Sequence, residues 1–342
     1  ASHYDEGRMT RNVDPAWEWS ITARHSIARY RDLERRSGVS FYSPVGYLGI
    51  GLPSSTYNDE CARTGADNGA EIERLDAAEI RARYPFLSIK DEADGLVEAG
   101  GAGHISPRRL VEAQTVLAEQ AGAAMIRQAA RSIRVVTGGV EVELWDGSTL
   151  TAERALIATG GFTAACGLSP VDLGLTVFGR TTVLVRIEGE AAEALRAMPT
   201  MIDTEIGAYI LPPIRYPDDH SYLKIGVGTM SDPQFTTLDG LRDWFKSAGS
   251  ERDRTSFTKR LKDLIPILNV CPFWHTDTCA VTRTRSGLPI IDFVQGDRIA
   301  VAAGGCGKGA KGSDEWGRIA ADLVRGADWS SEISREKLAV AT

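Results

Sequence analysis

The chain is poor in the features that mark secreted, membrane-spanning, metal-centred or nucleic-acid-binding proteins. Its 342 residues hold no apolar run near the roughly 20 residues that a spanning helix needs. Ala1 to Met9 is polar and charged, unlike a secretory signal. The five cysteines (Cys61, Cys166, Cys271, Cys279, Cys306) are scattered, odd in number and without a CxxC pair. They read as reduced thiols of a cytoplasmic protein with no zinc framework. The five histidines (His3, His25, His104, His220, His275) show no HxxxH or HxH spacing, so no metal site is expected. A formal charge of -7 offers no basic footprint for nucleic acid, and any anion site must be local. No internal repeat or low-complexity segment is evident.

What the chain does have is concentrated near its end. Ile299 to Ala303 reads as an apolar strand that runs into Gly304-Gly305-Cys306-Gly307-Lys308-Gly309-Ala310-Lys311 and then a helix. Glycine removes the Cβ barrier to positive φ and to close backbone approach, and the helix start favours negative charge. Such a turn suits something anionic and planar. The alternative is an ordinary strand-to-helix turn with solvated lysines.

Elsewhere the patterns alternate. A helix is expected over Ala16 to Ser37, a strand over Val45 to Leu52 and a short helix over Asp76 to Tyr84 carrying Ile80. Ser106-Pro107 offers an N-cap and a first-turn proline for a helix bearing Leu110, Gln114, Leu117 and Ala121. Val140, Val142 and Leu144 alternate with Glu141, Glu143 and Trp145 before an Asp146-Gly147 turn. Arg154 to Gly161 reads as a buried strand with a glycine mouth. From Thr176 the texture turns β-rich, with strands over Thr181 to Ile187, Ala208 to Leu211 and Tyr222 to Val227, and a helical insert follows from Leu238 to Leu268. Trp316, Ile319, Ala320, Leu323 and Val324 form an apolar stripe. The expected fold is mixed α/β (α+β), with two interleaved domains.

Three blocks give the chain a resemblance to a known family. They are Ser2-His3 through Arg8 and Arg11; Leu223-Lys224-Ile225-Gly226; and Cys279 through Ile290-Ile291-Asp292 into Ala302-Ala303-Gly304 and Lys311. In order and spacing the chain resembles the D-amino-acid-oxidase-type flavoproteins, most closely their sarcosine oxidase branch. The resemblance implies a Rossmann-like FAD-binding domain (1–40, 101–170 and 280–342) interleaved with a β-rich substrate domain (41–100 and 171–279). It also implies an opening strand, GxGxxG and helix that hold the FAD pyrophosphate. This chain opens without that first βαβ unit, so a second polypeptide or N-terminal fragment is expected to complete the FAD site.

The resemblance also distributes roles. Arg8 lies against the flavin, and Arg11 and Lys311 clamp the substrate carboxylate, where the planar arginine fork pairs both oxygens. Lys224 sits over the flavin face and promotes reaction with O2; otherwise strand alternation turns it to solvent. Cys279 falls where some members attach flavin through a thioether; otherwise it is a small buried cysteine. Tyr209 lines the substrate pocket or packs as a core aromatic. Arg8 and Arg11, at i and i+3, would share one side of a helical turn, or else form a surface pair neutralising Asp5, Glu6 and Asp14. The candidate catalytic residues are therefore Lys224, Arg11, Lys311 and Tyr209, with Lys308 joining Arg11, Lys311 and Tyr209 at the substrate. Candidate cofactor contacts are Ser2, His3, Arg8, Thr159, Gly160, Cys279, Gly304, Gly305, Gly307, Lys308, Gly309 and Lys311.

Two family histidines are replaced, by Lys308 in the glycine turn and by Gly228 beyond the Lys224 strand. Arg11, Lys308, Lys311 and Lys224 are then more cations than one carboxylate needs, and unpaired buried charge is costly. A dicarboxylic, iminodiacetate-like secondary amine would balance them. The expected activity is FAD-dependent oxidation of an amino acid or N-substituted amino acid to an imine, with O2 reduced to H2O2. Two alternatives stay open: a subunit of a heteromeric flavin amine dehydrogenase, and a non-catalytic carboxylate-binding module.

Overall fold

Residues 3–229 and 231–341 are described in a computed structural model of the chain. Trp17–Ser37 forms a 21-residue helix that ends where Gly38 (φ 74°) turns left-handed and donates its N–H to Glu34 O at 2.9 Å. Arg35 and Arg36 in its last turn oppose the helix dipole. Its buried face packs on the closing helix Ser313–Arg325, with Trp19 edge-on to Trp316 at 5.4 Å between centroids. Gly312 permits that approach, because a Cβ there would meet Thr22 Oγ1 and Trp316 Nε1 at 2.9 Å. The expected stripe of Ile319, Ala320 and Leu323 fills this core.

Two other helices start as their sequences indicate. Ala77–Arg83 opens on a reciprocal Asp76/Glu79 capping box, and Pro107–Gln120 opens with Ser106 Oγ accepting Arg109 N–H. The insert expected over Leu238 to Leu268 is two helices, Leu238–Phe245 and Glu251–Leu264, plus a 3-10 turn at Pro266–Val270. Gly249 (φ 74°) and the capping Ser250 break it, because a left-handed residue followed by an N-cap starts a new axis.

Among the described residues the largest sheet has nine strands. Its centre runs in the order Thr176–Arg186, Ser221–Gly226, Ala208–Arg215, Thr200–Asp203, Tyr47–Gly51 and Asp94–Glu98. Trp274–Arg283 pairs with the other side of Thr176–Arg186. Val183, Val185, Ile210, Leu223 and Ile225 bury one sheet face under Phe257 and Leu261 of the second insert helix. Thr176–Arg186 is longer than expected. Ala208–Arg215 continues through Pro212 and Pro213, with an irregularity between Leu211 and Ile214 where proline cannot donate to the ladder. The boundary expected at 279/280 falls inside the strand Trp274–Arg283.

A separate three-stranded sheet carries the glycine turn. Ile299–Ala303 lies between Ile290–Gln295, antiparallel, and Ala155–Ile157, parallel. The strand expected to be buried over Arg154 to Gly161 is therefore an edge. Among the described residues it has one strand neighbour, and Ile157 is buried while Leu156 is 37% exposed.

Candidate active site

The site grows from the short strand Arg8–Thr10, which pairs with Gly103–Ile105. Arg8 and Arg11 do not share a helical turn as expected, because strand pairing extends the backbone here. The chain beyond the strand is fixed by the buried Glu98 carboxylate, which accepts the N–H groups of Asn12 and Val13, both at 3.0 Å, and Asn12 Nδ2 at 2.6 Å. That anchor turns Asp14 inward, where it is fully buried.

Asp14 is the hub of a cationic cluster. Lys308 Nζ donates to its Oδ1 at 2.7 Å, Lys311 Nζ to its Oδ2 at 2.6 Å, and Arg11 Nη2 lies 3.6 Å away. Burial alone would raise the Asp14 carboxyl; Lys311, Lys308 and Arg11 overcome it and hold the group well below the usual range. Burial pushes Lys311 down to about 8, with Asp14 opposing and Arg11 and Lys308 adding to the fall. Arg11 also donates to Tyr57 OH at 2.7 Å and lies over the Tyr47 ring at 4.7 Å from the centroid. Its Nη1 is buried without a hydrogen-bond partner among the described residues.

Lys224 is buried, not turned to solvent. Its Nζ donates to Gly7 O at 2.8 Å and pairs with Asp5, which also receives Arg8 and the Tyr216 hydroxyl. Burial, then Arg8, pushes its ammonium well down. Tyr209 stands beside it, 5.9 Å from Nζ to the ring centroid. Asp14 and Asp5 therefore offset part of the expected excess of cations, one carboxylate to three cations and one to two. Each acid lies within a few residues of the arginine it pairs, but the pairs are buried rather than on the surface.

Arg8, Arg11, Tyr209, Cys279, Gly307, Lys308 and Lys311 come together around one cavity of about 330 Å³, which Arg180, Arg283, Tyr57 and Cys306 also line. No Asp or Glu contributes to that lining. Cys279 is directly across from Arg180 on the paired strands, and burial raises its thiol despite Arg8 and Lys224. Gly304 (φ 85°), Cys306 (φ 50°) and Gly307 (φ 76°) give the turn its shape, with Cys306 N–H donating to Thr282 O at 2.8 Å. Lys311 sits on the single 3-10 turn Gly309–Gly312 that follows.

Thr159 and Gly160 are exposed at the end of Ala155–Ile157, the strand that runs parallel beside the one leading into Gly304. They do not line the cavity, and neither does the exposed His3. Ser2 lies outside the described residues.

These residues fit the ring-bearing end of a flavin. Gly309 has open space where a Cβ would stand, and a Cβ on Gly305 would meet only the Gly309 backbone, at 3.4 Å and beyond. The glycine turn thus presents a bare lip. Arg11, whose buried Nη1 makes no hydrogen bond among the described residues, lines the same cavity. Sequence reasoning missed Asp14 and Asp5 as buried partners, Tyr57, and Arg180. Only the acids had a local signal, their nearness to Arg8 and Arg11.

A glycine turn at a strand end faces a cavity ringed by cations, an arrangement that suits a flat anionic cofactor. Comparison places the protein: residues 2–323 match the family described as FAD dependent oxidoreductase, and the chain belongs to that family. It is 25% identical over 333 residues to the N-methyl-L-tryptophan oxidase of Salmonella arizonae, covering 94% of this chain and 84% of that one. Its fold is shared with iminodiacetate oxidase from Chelativorans sp. (TM-score 0.78, 17% identity, 99% and 89% of the two chains). Glycine oxidase from Geobacillus kaustophilus also shares it (TM-score 0.72, 19% identity, 94% and 82%). The expected family and mixed α/β fold class are those found.

Proposed function

We propose that the protein oxidises an N-substituted or primary α-amino acid to an imine, with O2 reduced to H2O2. The observation that carries this reading is the Arg11, Lys308, Lys311 and Asp14 cluster at the wall of a cavity bounded by the glycine turn. FAD, when bound, supplies the redox chemistry. Gly305, Gly307 and Gly309, with Arg8 and Cys279, would hold its ring; Thr159 and Gly160 would meet its other half. The raised Cys279 thiol favours a noncovalent cofactor over a thioether.

Arg11 and Lys311 bind the substrate carboxylate, Arg11 through its unspent Nη1 and Lys311 by sharing its charge with Asp14. This fixes the α-carbon and its nitrogen in the cavity. The cationic walls disfavour an ammonium and so hold the substrate amine unprotonated. Tyr209 closes the pocket beside Lys224. Lys224, fixed by Asp5 and Gly7 O, places a cation where negative charge develops on oxygen.

The test supplies FAD to the purified protein and screens N-methyl amino acids and glycine for O2 uptake and peroxide. Uptake with stoichiometric peroxide supports the reading. Substrate oxidation coupled only to an artificial acceptor would favour a dehydrogenase subunit instead. One feature supports a second polypeptide segment at the site: the exposed edge strand Ala155–Ile157 beside the glycine turn, ready to pair with another strand. Retention of FAD by the chain alone through gel filtration would contradict that need.

A further inference from the structure

The cavity carries more positive charge than one substrate carboxylate answers. Six cationic side chains line it (Arg8, Arg11, Arg180, Arg283, Lys308, Lys311), and three carboxylates stand behind them: Asp5, Asp14 and Asp232. Asp5 is shared with Lys224. The cluster around Asp14 belongs to residues 11–14 and the turn at 308–311. Arg180 and Arg283 belong to a different wall, the paired strands Thr176–Arg186 and Trp274–Arg283.

Arg180 is built into that wall. Its side chain is 10% exposed and pairs with Asp232, which is 2% exposed. Nη1 is the atom that meets Asp232 Oδ2, while Nε and Nη2 donate no hydrogen bond among the described residues. The guanidinium fills the space where a Cβ of residue 228 would stand, so Gly228 is what admits it. Asp232 is itself held by Thr229, whose N–H donates at 3.0 Å and hydroxyl at 2.8 Å. Arg283 lies exposed at the cavity with no ion-pair partner among the described residues, over the Phe178 ring that Arg180 also approaches. A buried guanidinium with donors to spare is costly unless a further acceptor arrives.

We propose that Arg180, admitted by Gly228 and positioned by Asp232, binds a second carboxylate of the substrate, so that the enzyme acts on amino acids carrying two carboxylates. Arg283 adds charge at the mouth. This proposal rests on the reading that Arg11 and Lys311 take the first carboxylate. Lys308 stays with Asp14 in the other cluster.

The test uses the FAD-loaded protein and two dead-end ligands that lack the amine: glutarate, shaped like iminodiacetate, and butanoate, shaped like N-methylglycine. Dissociation constants come from titration calorimetry. Wild type is expected to prefer glutarate by about tenfold or more, the worth of one charged hydrogen-bonded contact. In Arg180→Met/Asp232→Asn, which strands no buried carboxylate, that ratio collapses toward the twofold of a symmetric ligand; Arg180→Lys restores part of it. Equal affinity for the two ligands in wild type, or an undiminished preference in the double variant, overturns the proposal. Arg11→Met separates the two readings. If it leaves butanoate affinity untouched, the first-carboxylate assignment fails, while the glutarate ratio still reports on Arg180.

Discussion

Asp14→Asn removes the carboxylate that Arg11, Lys308 and Lys311 share. Lys308 is 38% exposed and regains water, so its loss is small. Arg11 keeps Tyr57 and Tyr47. The cost therefore falls on Lys311, 5% exposed, whose pKa has already dropped from 10.5 to about 8. A lowered lysine pKa destabilises the fold fully below the folded value, and the penalty is relieved as pH rises from about 8 to 10.5. In the wild type this penalty is about 3 kcal/mol at pH 7. Without Asp14 the ammonium falls further and escapes by losing its proton, at about 5 kcal/mol at pH 7 and about 6 at pH 6. The variant should thus be less stable through Lys311 by about 1 kcal/mol at pH 7 and up to about 3 at pH 6, with this part vanishing near pH 9. At about 2 °C per kcal/mol for a chain of this size, thermal unfolding followed by circular dichroism should show a gap that widens by about 3 °C per pH unit below 8. A pH-independent gap, or one that widens upward of pH 8, would refute the assignment of Lys311 as the strained partner.

Three further outcomes follow from the same geometry. If charged Lys311 holds the substrate carboxylate, KM should rise as pH passes through about 8, while Lys311→Arg should keep KM flat across that range; steady-state O2 uptake from pH 6.5 to 9.5 measures both. Lys224→Met should slow the oxygen-dependent half of turnover by about 10²-fold or more, with anaerobic substrate oxidation reduced far less; equal losses in both halves would remove Lys224 from oxygen chemistry. Gly228→Ala should push the Arg180 guanidinium off buried Asp232, so unfolding temperature should drop by about 6 °C or more and the glutarate-to-butanoate preference should fall; an unchanged preference would mean that the displaced guanidinium does not read the ligand.

The sequence was legible where chemistry is local. The short helix from Asp76, the Ser106-Pro107 start and the strand-to-glycine turn at Ile299 to Lys311 rest on short-range signals, and each element formed there. Burial was harder to read. Asp5 and Asp14 look like surface neighbours of Arg8 and Arg11, and it took Glu98, more than 80 positions away, to turn Asp14 inward. Arg180 had no local signal, since its meaning depends on Gly228 and Asp232 across the sheet. The Arg154 to Gly161 segment is apolar enough to be central, yet among the described residues it pairs on one side only. Apolar content alone does not distinguish an edge from a centre.

The most direct test of the central claim is the visible absorption spectrum of the protein supplied with FAD, taken anaerobically before and after adding an N-methyl amino acid. The account predicts flavin bands that bleach on substrate addition and return on admitting oxygen, with Arg11→Met retaining the bands but losing the bleaching. Protein that retains no flavin band, or bands that no amino acid bleaches, would contradict it.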